Sequence, residues 1–240
     1  MQTEIYLQAV IFIASVLLGA LGFGNSMIAL PFMLFMLDAR LAIPVMKIIS
    51  FFCQLFLVAF YRFSIDRQLL IQLVIPTIIG ALGGAWLLQN LDTVLLVRLV
   101  MVVIISFSCM TLLFGRKLNR LPDWTASVVG LIAGVLGGSV ALSGPPVVLF
   151  LSHEHANNKD AFRGTVMVYF FLEISITLII YAIYRIFTVE QWLLALRLVP
   201  ISLLGIWLGV KVFNRFSNES FRTIVLVSLV GLCAVTLFTH

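Results

Sequence analysis

Long apolar runs, broken by single charges and short polar clusters, fill this chain. Between the charges the runs are 5–22, 27–37, 43–61, 69–88, 94–114, 124–138, 143–151, 164–184, 191–210 and 221–238. About 20 apolar residues in a helix cross the hydrocarbon of a bilayer, and several runs reach that length. The second and seventh are short, and each follows a cluster of glycines. That pattern predicts half-helices, broken or re-entrant, among full crossings. The predicted class is all-α, a polytopic membrane protein.

The breaks are duplicated. Gly19–Phe35 aligns without gaps on Gly134–Phe150, at an offset of 115 residues. Further on, Asp66, Pro76, Arg98 and Cys109 align with Glu190, Pro200, Arg222 and Cys233 at an offset of 124. Gln54 aligns with Glu173 at 119. The chain therefore reads as two transmembrane repeats, 1–120 and 121–240, of four to five helical segments each. The polar stretch from Gly115 to Asp123 joins them.

Positive charge decides the relative orientation, because Lys and Arg collect on the cytoplasmic side. Five segments per half place Arg62, Arg67, Arg116, Lys117, Arg120, Lys159, Arg163, Lys211, Arg215 and Arg222 on one side. Arg40, Lys47, Arg98, Arg185 and Arg197 fall on the other. Four segments per half give a nearly even split. The bias favours five, an inverted repeat, with both termini outside the cytoplasm.

Composition agrees. The 240 residues are 62% hydrophobic and only 10% charged, against about 25% charged in soluble domains. The net charge of +5 is scattered singly at the ends of apolar runs, which argues for membrane topology and against nucleic acid as a partner. Met1 to Glu4 carries no basic residue, so the first run reads as a retained helix rather than a cleaved signal. Cys53, Cys109 and Cys233 lie singly inside apolar runs and read as buried, unpaired thiols.

Irregular backbone is tolerated within a bilayer only where protein or a watery cavity covers it. Gly22 and Gly24 in one half, and Gly137, Gly138 and Gly144 in the other, permit a break. Pro31, Pro145 and Pro146 remove donors and stop simple continuation of the helix. A helix that restarts after the break points free N–H groups and the positive end of its dipole at the gap, which suits an anion. Asn25, Ser26, Ser139 and Ser143 add side-chain hydrogen bonds. The competing reading is plain packing, since small residues also let membrane helices approach closely. The duplication, with the prolines in register, favours the site.

Charge within the spans sharpens the picture. Glu173 lies near the middle of its run, where a carboxylate is expensive and marks a functional candidate. It reads as a proton carrier, or else as a structural acid held by a base or by the opposite repeat. Gln54 is its neutral counterpart. Lys47 and Arg163 follow the two breaks at equivalent places. They read as anion ligands at a cavity mouth, Arg with a two-donor grip, or as snorkelling residues at the interface. Arg98 and Arg222 read as anchors. His153 and His155 sit near Glu154, and a solvated loop suits them better than a metal site. No cofactor or metal is called for.

The second copy, Gly130 to Phe150 ending in Gly-Pro-Pro and followed by Phe162-Arg163-Gly-Thr, resembles the sulfite exporter TauE/SafE family. The first copy fits more loosely, as Gly-x-x-Gly-x-Gly-Asn up to Pro31. Asn25 and Ala141 stand where members of that family often carry glycine. The resemblance implies a multi-pass transporter in a bacterial inner membrane. It would move a small sulfur anion such as sulfite, sulfoacetate or another sulfonate, by alternating access between the repeats. The lipid bilayer and the anion are then the partners, with a homo-oligomer open. No GxxxxGK[ST] motif points to ATP hydrolysis. A passive channel is the alternative. An intramembrane enzyme fits less well, because no nucleophile–base set lies within the spans.

Overall fold

The computed structural model describes residues 2–60, 64–114, 122, 124–155 and 159–213. Among them are nine helices and no strand: α1 Gln2–Leu21, α2 Asn25–Leu34, α3 Ala39–Phe60, α4 Arg67–Asn90, α5 Thr93–Phe114, α6 Trp124–Val140, α7 Gly144–Glu154, α8 Lys159–Ile183 and α9 Val189–Phe213. Each lies on one of the predicted runs. The tenth run, with Arg222 and Cys233, lies outside the described residues, as does most of the 115–123 linker.

Ala39–Phe60, Arg67–Asn90, Ala161–Ile183 and Val189–Lys211 are long and apolar enough to cross a membrane. Their outward surfaces suit lipid: Ile71, Ile75, Ile78, Ile79, Leu82 and Trp86 form an exposed stripe along α4. The inside is a mainly apolar core that also buries polar groups, among them Lys47, Ser50, Gln54, Glu173 and Thr177.

Small residues set the closest contacts. Gly130, Gly134 and Gly138 recur every fourth position on α6 and pack on the carbonyls of Leu73, Thr77 and Ala81 of α4. A methyl at any of them would strike backbone, so the helices approach only because the side chains are absent. Positions on both helices ascend together, so α4 and α6 run parallel. Gly205 and Gly209 of α9 pack in the same manner on Phe12 and Val16 of α1, again parallel. Here the packing reading of glycine holds.

Polar ties fix the helix ends. Asp66 caps α4, its carboxylate accepting from the Leu69 N–H at 3.1 Å. The Asp66 N–H donates to the Thr165 hydroxyl at 3.0 Å, joining the starts of α4 and α8. Gln89 donates to the Tyr184 carbonyl at 2.6 Å, joining their ends. At that same end, Arg40 donates to the Leu91 carbonyl at 3.1 Å. Pro44, inside α3, has no N–H to offer the Arg40 carbonyl one turn back. Gln191 of α9 supplies that donor from its side chain, at 3.0 Å. Thus α4, α6 and α8 run one way, and α1, α3 and α9 the other.

The packing partners exchange in pairs. α1 packs on α9 as α6 packs on α4, α3 on α9 as α8 on α4, and α3 meets α8 directly. That last contact is where the polar interior sits.

Candidate functional site

The first break is built by glycine. Gly22, at φ +83°, is the left-handed residue that ends α1, and its N–H donates to the Leu18 carbonyl at 2.7 Å. This is a helix end closed by a glycine for which a side chain would be strained. Arg163 donates to the next exposed carbonyl, that of Gly19, at 3.2 Å. Gly24, at φ +98°, then starts α2, with no side chain capping the new N-terminus.

The second break is built by proline. Gly137 and Gly138 stay inside α6, which runs on to Val140. Pro145 and Pro146 have no N–H for the carbonyls of Ala141 and Leu142, so the helix cannot pass through those residues. The chain turns at Ala141, a non-glycine residue at φ +55°. Ser143 starts α7, again with no side-chain cap. The break therefore falls after Gly137 and Gly138 and just before Gly144, the third glycine expected to permit it.

The left-handed residues that follow α1 and α6, Gly22 and Ala141, and the N-caps of α2 and α7, Gly24 and Ser143, each stand 119 residues apart. That is the spacing of Gln54 and Glu173. The gap-free alignment at 115 is one helical turn out of structural register. This explains a correction. Lys47 and Arg163 follow the two breaks at similar places, 116 residues apart, but at the structural spacing of 119 the counterpart of Lys47 is Val166, which is fully buried.

The starts of α2 and α7 meet at a cavity of about 50 Å³. From the first break it is lined by Phe23, Gly24, Asn25, Ser26 and Met27, and from the second by Ala141, Leu142, Ser143 and Gly144. Helix α3 adds Lys47, Ser50 and Gln54, α8 adds Phe170, Glu173 and Ile174, and Leu18 closes one side.

An ion pair crosses the middle. Lys47 Nζ lies 2.7 Å from Glu173 Oε1, with side chains 2% and 0% exposed. Thr177 also donates to Oε1, at 3.0 Å, and the Ser143 hydroxyl donates to Oε2 at 3.1 Å. Glu173 is therefore held by its own helix, by α7 and by α3. Gly137 makes the room, because a methyl there would strike the carboxylate. Lys47 is neither interfacial nor at a mouth. It is buried at the α3–α8 contact.

Several other polar groups are left over. Both amide atoms of Asn25, the Ser50 hydroxyl and the Gln54 Oε1 are buried without a hydrogen-bond partner among the described residues. A buried polar atom without a partner is costly. Here they all line one cavity.

Of the expected site residues, the structure brings Gly24, Asn25, Ser26, Lys47, Ser143, Gly144 and Glu173 to the cavity. Gly22 turns the chain beside it and packs on Met167. Arg163 is not in the lining. Gly138 packs on α4, and its carbonyl accepts from the Tyr181 hydroxyl at 2.7 Å. Ser139 bonds back to the Val135 carbonyl on its own helix. Pro31 and Pro145 are buried within α2 and α7. His153 lies in the last turn of α7 rather than in a loop. His155 caps that helix, 3.8 Å from the Asp66 carboxylate. Cys53 is buried and free, donating to the Ser202 hydroxyl. The side chain of Cys109, like all of Cys233, lies outside the described residues.

Ser50 was missed as a site residue, and Gln54 was read only as a counterpart. Lys47, Ser50 and Gln54 stand at i, i+3 and i+7 in an otherwise apolar run, one polar face of one helix.

The family model described as Sulfite exporter TauE/SafE matches residues 7–236. No curated protein and no solved structure matches the chain. With helices long and apolar enough to span a bilayer and a buried polar site between them, the chain belongs to the sulfite exporter TauE/SafE family of membrane transporters.

Proposed function

We propose that this protein is a secondary transporter of a small anion, and that the cavity between the α2 and α7 starts is its binding site. The observation that carries this reading is the ring of unsatisfied polar groups around Lys47. Asn25, Ser50, the ammonium and the uncapped N-terminus of α2 all bring donors to the lining of one small cavity. An oxyanion accepts from every one of them.

The size of the cavity favours an inorganic anion. About 50 Å³ has room for on the order of three to five water-sized groups. Sulfite fits that volume better than sulfoacetate does. A sulfur oxyanion also agrees with the family.

The two halves, 1–120 and 121–240, act as inverted repeats that rock about the cavity to give alternating access. Opposite directions of α1 and α6, and of α4 and α9, support this, as does the exchange of packing partners. The end holding Arg67 is the cytoplasmic one by its positive charge, and the end holding Arg40 and Arg185 is external. A bacterial inner membrane is the setting. Glu173 is the proton-coupling group.

Reconstitution tests the reading. Proteoliposomes should accumulate labelled sulfite saturably, and preloaded unlabelled sulfite should speed its exchange. A linear, non-saturating flux with single-channel currents would make the protein a pore and overturn the proposal.

A further inference from the structure

Lys47 and Glu173 are the two ionisable side chains that line the cavity among the described residues. Their neighbours offer no substitute. Helices α2 and α6 carry no ionisable residue. On α7, His153 and Glu154 stand at the end opposite Ser143. On α1, Glu4 and Tyr6 stand near the start, far along the helix from Leu18. On α3, Cys53 is engaged with Ser202, and Arg40 is tied to Leu91 at the helix start. On α4, Arg67 is the first residue, on α5 Arg98 is exposed, and on α9 Glu190 and Lys211 lie toward the ends while Arg197 pairs with Glu4 at the surface. On α8, Tyr169 and Tyr181 flank Glu173, their hydroxyls engaged with Thr77 and the Gly138 carbonyl; Lys159, Asp160 and Arg163 belong to its first turns.

The cavity is thus neutral as it stands, one ammonium against one carboxylate. An anion that reaches the Lys47 ammonium meets a competitor already bound at 2.7 Å. Displacing Glu173 leaves its carboxylate in the same buried place, since Thr177 and Ser143 hold it there. Lys47 would then face two negative charges, and an uncompensated buried charge is expensive. A proton on Glu173 alone is equally unfavourable, because it strands the ammonium.

We propose that the Lys47–Glu173 pair is a one-for-one switch: an anion takes the place of Glu173 on Lys47 only as a proton neutralises that carboxylate. This rests on the anion-transport reading above. The balance is simple. The carboxylate and a proton give the carboxylic acid, the Lys47 ammonium keeps its protons, and no covalent bond to carbon changes. The empty cavity and the doubly loaded cavity are both neutral. Each singly loaded cavity carries a net charge. The two neutral forms are therefore the ones that cross between access states, so proton and anion move together without slippage. The same count selects a monoanion, so the form of sulfite that the site takes is hydrogensulfite, because a dianion leaves the loaded site negative.

Calorimetry on the purified full chain in detergent tests this. The probe is methanesulfonate, which stays a monoanion across the working pH range, so any proton taken up goes to the protein. Titrations at one pH in two buffers of different protonation heat should show uptake of about one proton per anion, and affinity should weaken about tenfold per pH unit as pH rises. Glu173→Gln should bind the anion with no proton uptake and no pH dependence. Binding by the natural chain without proton uptake overturns the inference and leaves anion transport standing. Proton uptake that survives in Glu173→Gln also overturns it. Absence of methanesulfonate binding overturns it as well, and if sulfite too fails to bind, the transport reading falls with it. The titrations of the natural chain decide the matter even if the variant does not fold.

Discussion

The two breaks carry similar sequence and do opposite work. The first turns on Gly22 and Gly24, both in the left-handed region, and opens a helix whose early residues all keep their N–H groups. The second turns on Ala141 and opens a helix whose second and third residues are Pro145 and Pro146, which have none. Its side-chain donor at the cavity, the Ser143 hydroxyl, is committed to Glu173. The first half brings the free donors and the Lys47 cation, and the second brings the acid. The proposed site thus draws on one receptive side and one counter-charge.

The largest break in this comparison is removal of the cation. Lys47→Met strands a buried carboxylate and should destabilise the protein by about 3–5 kcal/mol, read as a lowered melting temperature in detergent, with sulfite uptake abolished. Adding Glu173→Leu should restore most of the stability and none of the transport. Full transport by the double variant would mean that the pair is only structural.

A smaller effect separates the donors from the fold. The Asn25 amide has no partner, so Asn25→Ala should leave the melting temperature unchanged or higher. A hydrogen bond to a charged ligand is worth about 1.5–3 kcal/mol, so sulfite affinity should fall about tenfold or more. A drop in stability with unchanged affinity would place Asn25 in the packing instead.

The smallest effect is on the turns themselves. Ala141→Gly relieves a left-handed alanine and should stabilise by about 1 kcal/mol, while Gly24→Ala imposes the same strain and should cost about 1–2 kcal/mol. The space beside Gly24 is open, so a loss there reports backbone strain and not a clash. Equal responses in thermal unfolding would show that the two turns are alike after all.

The helices were legible because lipid demands long apolar runs, and the breaks because glycine and proline interrupt those runs. Where the breaks fall was not legible. The gap-free alignment pairs Gly22 with Gly137, yet Gly137 stays helical, and its lack of a side chain is used to admit Glu173. Prolines four residues past the turn, not the glycines before it, end α6. That one-turn slip is also why Arg163 reads as the twin of Lys47 in sequence while it closes the end of α1 in space. Glu173 was legible from the cost of a charge in an apolar run. Its partner was not, because pairing across 126 residues depends on the α3–α8 contact, which no local pattern encodes.

Selenite, a heavy analogue of sulfite, offers the most direct test. An anomalous-scattering map of the protein crystallised with selenite should place the selenium in the cavity, with an oxygen within hydrogen-bond distance of Lys47 Nζ. Selenium bound beside Arg163 and Gly19, with the Lys47–Glu173 pair untouched, would contradict the account.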